Sequence, residues 1–270
     1  MPRQTISPIY EDLRRVDANR LRRLVRAGTY EGHTGGLARG KLQVNVVIVP
    51  RSFANDFHQF CVRNAKACPL VGISRAGSPL IPALGDIDIR TDAPQYNVYR
   101  FGELTDQKTD IIDLWQDDFA AFAFGSSHTL EAGLAEKGVK LRRTGRDKVL
   151  PKFRTGIETC RAGPFGGEMV VSMRPVRCCD VDKVRALTAG FPYAHGSPIH
   201  VGEPSIIRIY DMMAPDWGDA VDLMDGEVPV FWASSITAQD ALVRANLAIS
   251  ITVSPGHLLI TDVDARALHG

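Results

Sequence analysis

Neither sign of charge prevails in this chain of 270 residues. Its 32 Lys and Arg stand against 31 Asp and Glu, a formal net charge of +1 at pH 7. Such a balance offers no field for nucleic acid or an anionic membrane, and neither is expected as a partner. No run of about 18 apolar residues occurs, so no membrane span is expected. The opening MPRQTISPIYEDLRR has no apolar stretch of the kind a secretory signal needs, which points to the cytoplasm. Cysteine is scarce: Cys61, Cys68, Cys160, Cys178 and Cys179 are an odd set with no CxxC pair. That argues against a disulfide framework or a zinc ribbon and for free thiols in a reducing compartment. HExxH, internal repeats and low-complexity linkers are also absent.

What is present suits a packed core. Hydrophobic residues make up 44% of the chain, enough for one large domain or two lobes. LQVNVVIVP (42–50), FAAFAFG (119–125), EMVVSMRP (168–175), VPVFWAS (228–234) and AISITVS (248–254) read as strands, with HLLITD (257–262) a short last one. VYRFGEL (98–104) reads as a hairpin or a strand end. Helical spacing is expected over Ile9–Ala27, 53–65, 109–118, TLEAGLAEKG, VDKVRALTAG and ITAQDALVRAN. In the first of these, Arg14, Arg15, Arg20, Arg22, Arg23 and Arg26 alternate with leucines and valines, so they read as a solvated helix face. Alternating strands and helices predict an α/β protein: two-lobed, a mixed sheet covered by helices, with a second smaller α+β lobe inserted. Residues 1–120 plus 201–270 are assigned to the main lobe and 121–200 to the insert.

Candidate chemistry gathers in loops. FPYAHGSPIHVGEP (191–204) holds His195 and His200 among three prolines and two glycines, a segment pinned without regular structure. GSSHT (125–129) lies between an apolar strand and a helix, where free backbone donors suit a carboxylate. It also nears the G-x-S-x-G elbow around Ser127, but Thr129 replaces the last glycine, and Ser126, Ser127 or Thr129 as a plain helix cap is an equal reading. SMRP sets Arg174, and FRTG sets Arg154 and Thr155, at expected strand ends, where an arginine can fork onto a carboxylate. SPGHLLITD puts His257 after a Pro-Gly turn, and Asp219 and Glu203 can complete an acid/base set. Three loop histidines invite a zinc reading, but no i,i+4 pair supports it, and no metal is expected. GGLARGK (35–41) nearly spells a phosphate loop; Leu42 stands where Ser or Thr is needed, and the stretch precedes a strand instead of following one.

The segments GLARGKLQVNVVIVP, CVRNAKACPL, DIDIRTDAPQYNVYRFGEL, DLWQDDFAAFAFGSS, VVSMRP, HGSPIHVGEP, DWGDAV, GEVPVFWA and SPGHLLITD follow one another across nearly the whole chain. In that order they resemble the hydro-lyase family that includes the D-glutamate cyclase domain. The resemblance implies a two-lobed α/β protein and a lyase that expels water, closing D-glutamate to 5-oxo-D-proline without a cofactor. It implies a base, His195 or His200, for the amine, and an acid, His257 or Asp219, for the departing oxygen. Arg174, Arg154, Thr155, Ser126, Ser127 and Asn45 are then the groups that hold a small carboxylate or amino acid. The chain departs from the family pattern at Ser126 and Ser234, where cysteine is usual, at Val253, where histidine is usual, and at Gly156, where relatives carry an amide. The rival readings are a serine-dependent hydrolase or acyl transferase built on Ser127, and a carboxylate-binding or specialised biosynthetic homologue with altered chemistry. A homo-oligomer stays open, because no exposed apolar stripe stands out.

Overall fold

The computed structural model describes residues 8–139, 141–142 and 149–265. Residues 1–7, on which part of the leader reading rests, lie outside it. Seven strands make the larger sheet: β1 (Lys41–Pro50), β2 (Leu70–Ile73), β3 (Tyr96–Arg100), β4 (Glu103–Lys108), β5 (Phe119–Gly125), β10 (Ser250–Val253) and β11 (Leu259–Asp264). Their order is β2-β5-β1-β10-β3-β4, with β11 pairing β1 beyond the end of β10. A second sheet has the order β6-β7-β9-β8: β6 (Lys152–Glu158), β7 (Glu168–Arg177), β9 (Glu227–Ala233) and the short β8 (His200–Val201).

The α/β class and the two sheets are as expected, but the strand directions differ. Every pairing among the described residues is antiparallel, where a mixed sheet was expected. The continuous apolar runs of β1 and β5 have another cause: both faces of this antiparallel sheet are covered. Val44, Val46 and Ile48 meet Ile81, Leu84, Ile89 and Trp115 on one face. Val47 and Val49 join Phe122 and Phe124 on the other, under α3 (Arg51–Arg63) and α6 (Ile236–Ala245).

Sheet membership does not follow the residue ranges expected for the lobes. β5, most of it past residue 120, is central in the larger sheet, and β9, past residue 201, is central in the smaller. A strand's own pattern tells that it is buried, not which partner buries it.

Three local expectations also change. The helix expected over Ile9–Ala27 is two, α1 (Pro8–Leu13) and α2 (Ala18–Arg26). Asp17 breaks it: its extended backbone and a side chain accepting the Arg20 N–H make it a helix cap. Arg22, read as solvated, is 2% exposed and bridges to Asp262 at 2.8 Å and to the Ile260 carbonyl, fastening α2 to β11. Residues 109–118 hold only a 3-10 turn over Ile112–Leu114. Asp110 accepts the Ile112 N–H there, and the chain is already turning into β5.

Candidate active site

β7 does not end at Pro175, as SMRP suggested, but runs on to Arg177 with Pro175 opposite Pro229. The Met173 N–H points towards the β6 side, to the Pro151 carbonyl, and Pro175 points the same way, where β6 has stopped. Arg174 is therefore embedded in a central strand. The alternation of β7 puts Ser172 and Arg174 on the same side as Val230 and Trp232 of β9. α4 (Ser127–Glu136) and α5 (Val181–Ala189) cover this side.

A guanidinium only 2% exposed needs partners. Glu131 of α4 accepts from Arg174 Nη2 at 2.7 Å and from Nε at 3.1 Å, and the Ser172 hydroxyl accepts from Nη1 at 3.2 Å. The plane sits 5.5 Å from the Trp232 ring. A guanidinium has about five N–H donors, so one N–H on each terminal nitrogen remains for a ligand. Lys152 lies opposite Ser172 in β6. Burial, and then the like charge of Arg174, push its ammonium down to about 8.

His195 stands beside this cluster. The chain reaches it through a 3-10 turn, Pro192–Ala194, packed on the end of β5 and on α4. Gly125 permits that approach, since a Cβ there would overlap the Tyr193 carbonyl oxygen. His195 adopts a left-handed backbone (φ 75°) that costs an L-residue about 1 kcal/mol or more, and it is buried. Its Nδ1 donates to the Lys66 carbonyl at 2.8 Å, which leaves the Nε2 lone pair unused by that bond. Burial holds the imidazole down at about 4; the Lys66 carbonyl opposes this and the Arg174 charge reinforces it. The ring is neutral near pH 7. α4 begins at Ser127, which puts the buried Ser126 at its cap position; the side chain of Thr129 lies outside the described atoms. Among the described residues no histidine is hydrogen-bonded to Ser127, so the serine-hydrolase reading finds no base there.

A second polar strip lies on the α6 side of the larger sheet. Asn45 donates to Ser235 Oγ at 2.9 Å, joining β1 to the start of α6. Ser254 donates to Asn97 Oδ1 at 2.6 Å, and Gln107 donates to the same oxygen. The Thr252 hydroxyl, in register with Val47 and Asn97, is fully buried and has no hydrogen-bond partner among the described residues. His257 packs edge-on against His33 at 4.7 Å. Burial, then His33, holds His257 down at about 4.

The other expected residues go elsewhere. His200 pairs with Phe231, on the side of the second sheet away from Arg174, and its Nε2 donates to the Glu203 carbonyl at 2.7 Å. Asp219 is exposed, and its carboxylate accepts the Val149 N–H. The Arg154 fork is spent on Asp216 and Asp240, both at 2.8 Å. The Thr155 hydroxyl donates to the Met169 carbonyl inside the sheet. Among the described residues no three His, Cys, Asp or Glu come close enough together to hold a metal ion. Of the departures, Ser126 and Ser234 are buried at 3% and 5% exposure, while Val253 packs in the apolar core on the far face from Thr252. Sequence reasoning missed Glu131, Ser172, Lys152 and Trp232. Polar residues inside β-branched runs were the signal for Ser172; Lys152 and Trp232 needed the strand register, and Glu131 the placement of α4 over the sheet.

The family model described as D-glutamate cyclase matches residues 120–262. A protein of Dinoroseobacter shibae named "Putative hydro-lyase" is 48% identical over 260 residues, covering 96% of this chain and 87% of the relative. One of the same name from Jannaschia is 50% identical over 249 residues, covering 92% of this chain and 94% of its own. Among solved structures, a nitrogen repressor-like protein from Methanococcus jannaschii covers 89% of the chain at 11% identity and a TM-score of 0.38, a likeness too slight to argue from. The half-length domain match and the near-full-length relatives agree with the ordered motifs: this chain belongs to the hydro-lyase family that contains the D-glutamate cyclase domain.

Proposed function

We propose that the protein is a cytoplasmic, cofactor-independent lyase that closes a small amino acid onto its own side-chain carboxylate, with D-glutamate as the first substrate to try. The observation that carries this reading is the buried Arg174 fork, held by Glu131 and Ser172, with the neutral His195 imidazole beside it. The spare N–H groups of Arg174 take the side-chain carboxylate and draw electrons from its carbon. The His195 Nε2 lone pair takes a proton from the substrate amine. The amine nitrogen then bonds to that carbon and, ammonium at the start and lactam N–H at the end, gives up two protons in all; the departing carboxylate oxygen gains these two, His195 returning the one it took, and leaves as water. An imidazole held near 4 is a weak base, but a carboxylate bound nearby favours the imidazolium and moves it back towards the neutral range. Both reacting groups belong to one molecule, so positioning supplies much of the rate.

The test is an NMR time course with D-glutamate, L-glutamate and 5-oxo-D-proline offered separately. Ring formation from the D-isomer only, slowed about a hundredfold or more in His195→Gln, is the expected result. Folded protein that converts none of the three in either direction would remove D-glutamate as the substrate. The buried serines at 126 and 234, where the family usually has thiols, favour one second reading, a homologue that binds the carboxylate without turning it over. Saturable binding without conversion in the same samples would select it.

A further inference from the structure

Among the described residues the Lys152 ammonium has no anion. Its one hydrogen bond is a long one, 3.4 Å from Nζ to the Leu150 carbonyl. Among the described residues no carboxylate pairs with it, and the one charge that acts on it is the like charge of Arg174. Glu131 is engaged with Arg174, so Arg174, Glu131 and Lys152 together carry one positive charge in excess. Lys152 is half-buried, and holding an ammonium there without a counter-charge is costly; proteins tolerate it mostly where function needs it.

A second orphan lies in the same row. Lys152 is opposite Ser172, and Ser172 is opposite Trp232, across three neighbouring strands on one face. The Trp232 indole Nε1–H is fully buried and, among the described residues, donates to nothing. A buried donor without an acceptor costs about 1–3 kcal/mol. An ammonium with one long hydrogen bond and an indole with none thus lie on either side of Ser172, two residues along β7 from the paired Arg174. The acceptor that suits both is an anion with oxygens at more than one angle, and a carboxylate meets that description.

We propose that Lys152 and Trp232 form a second carboxylate subsite beside Arg174, Lys152 supplying the charge and the Trp232 indole a directed hydrogen bond. This rests on reading the Arg174 cluster as the substrate site, and it assigns the carboxylate that Arg174 does not hold. The ammonium held at about 8 fits such a site, since the bound anion restores its charge.

Glutarate, which carries two carboxylates and no amine to react, is the probe. Its affinity is measured by calorimetry in the whole protein and in Lys152→Met, Lys152→Arg and Trp232→Phe. Lys152→Met weakens glutarate at least about tenfold, and Lys152→Arg, which keeps the charge, recovers most of the loss. Glutarate moves the indole N–H resonance that disappears in Trp232→Phe, one of three tryptophans in the chain. Lys152→Met removes an unpaired, half-buried charge, so it melts no lower than the parent and its binding loss is not a folding loss. Equal glutarate affinity in the parent and Lys152→Met, or no glutarate binding by the parent, would overturn the subsite. Protein inert towards D-glutamate whose glutarate binding still depends on Lys152 would sink the assigned reaction and leave the subsite standing.

Discussion

His195 and His257 are neutral because they are buried, and that ties the fold to pH. In the unfolded chain each titrates near 6.5, and in the fold near 4. Between those values the unfolded chain binds protons that the folded chain refuses, so stability rises with pH. The stability is complete above about pH 6.5 and drains away as pH falls towards 4, each ring contributing on the order of 2–3 kcal/mol. Urea midpoints should therefore drop between pH 7 and pH 5, and His195→Gln should flatten the drop. A midpoint independent of pH over that window would mean that one or both rings charge freely in the fold. The sequence could nominate these histidines because prolines and glycines pin their loops, but it could not orient them. His195 and His200 are five residues apart on a chain that crosses from one face of the second sheet to its edge. Only His195 ends beside Arg174, while His200 lies over Phe231 on the other side. Lys152 was invisible for a related reason: nothing local says that the residue opposite it is Ser172 or that no acid is near.

At the scale of elements, two residues should show how tightly neighbours are fitted. Gly125 closes β5 where the histidine loop crosses, and a methyl group there has no room against the Tyr193 carbonyl. Gly125→Ala should cost about 3 kcal/mol, because a backbone oxygen cannot step aside as a side chain would. Thermal unfolding measures it, and an unchanged melting temperature would show that the loop is free to lift. In α2 the four arginines divide by burial. Arg22→Ala strips a partner from buried Asp92 and from Asp262 and should cost about 3 kcal/mol. Exposed Arg23→Ala should stay within about 0.5 kcal/mol. Denaturant unfolding separates the two, and equal effects would return α2 to the solvated-face picture. Strands were legible here because valine, isoleucine and phenylalanine runs bounded by proline, glycine and polar residues mark them. Helix limits were less so, since Asp17 acts as a cap only through its own extended backbone.

At the scale of the molecule, the candidate groups are divided between the two sheets, Arg174 in one and Asn45 in the other. β5 belongs with β1 and β9 with β7, pairings between segments that apolar pattern makes interchangeable, so sheet membership was not legible in the sequence. The tie between the sheets is more specific. Asp240 of α6 is almost buried, its side chain 4% exposed, and it receives Arg154 from β6 at 2.8 Å and Arg244 from its own helix at 2.8 Å. Arg154 continues to Asp216, and Arg244 to Glu168 at the start of β7. α6 also packs on the Val47 face of the larger sheet and, through Ser235 before its first turn, receives the Asn45 amide. One carboxylate thus couples the sheet that carries Arg174 to the sheet that carries Asn45. Asp240→Asn keeps the shape and removes the charge, leaving two guanidinium groups to repel across the joint. It should cost about 2 kcal/mol or more in stability. If ligand groups from both sheets are used, it should also weaken glutarate binding severalfold, although Asp240 has no place among the ligand groups. Arg154→Met, which breaks the same joint from the other side, should do likewise, and the double variant should lose less than the sum of the two. Losses that add fully would show that Asp240 and Arg154 act on the site independently, and that the joint between the sheets does not set its geometry.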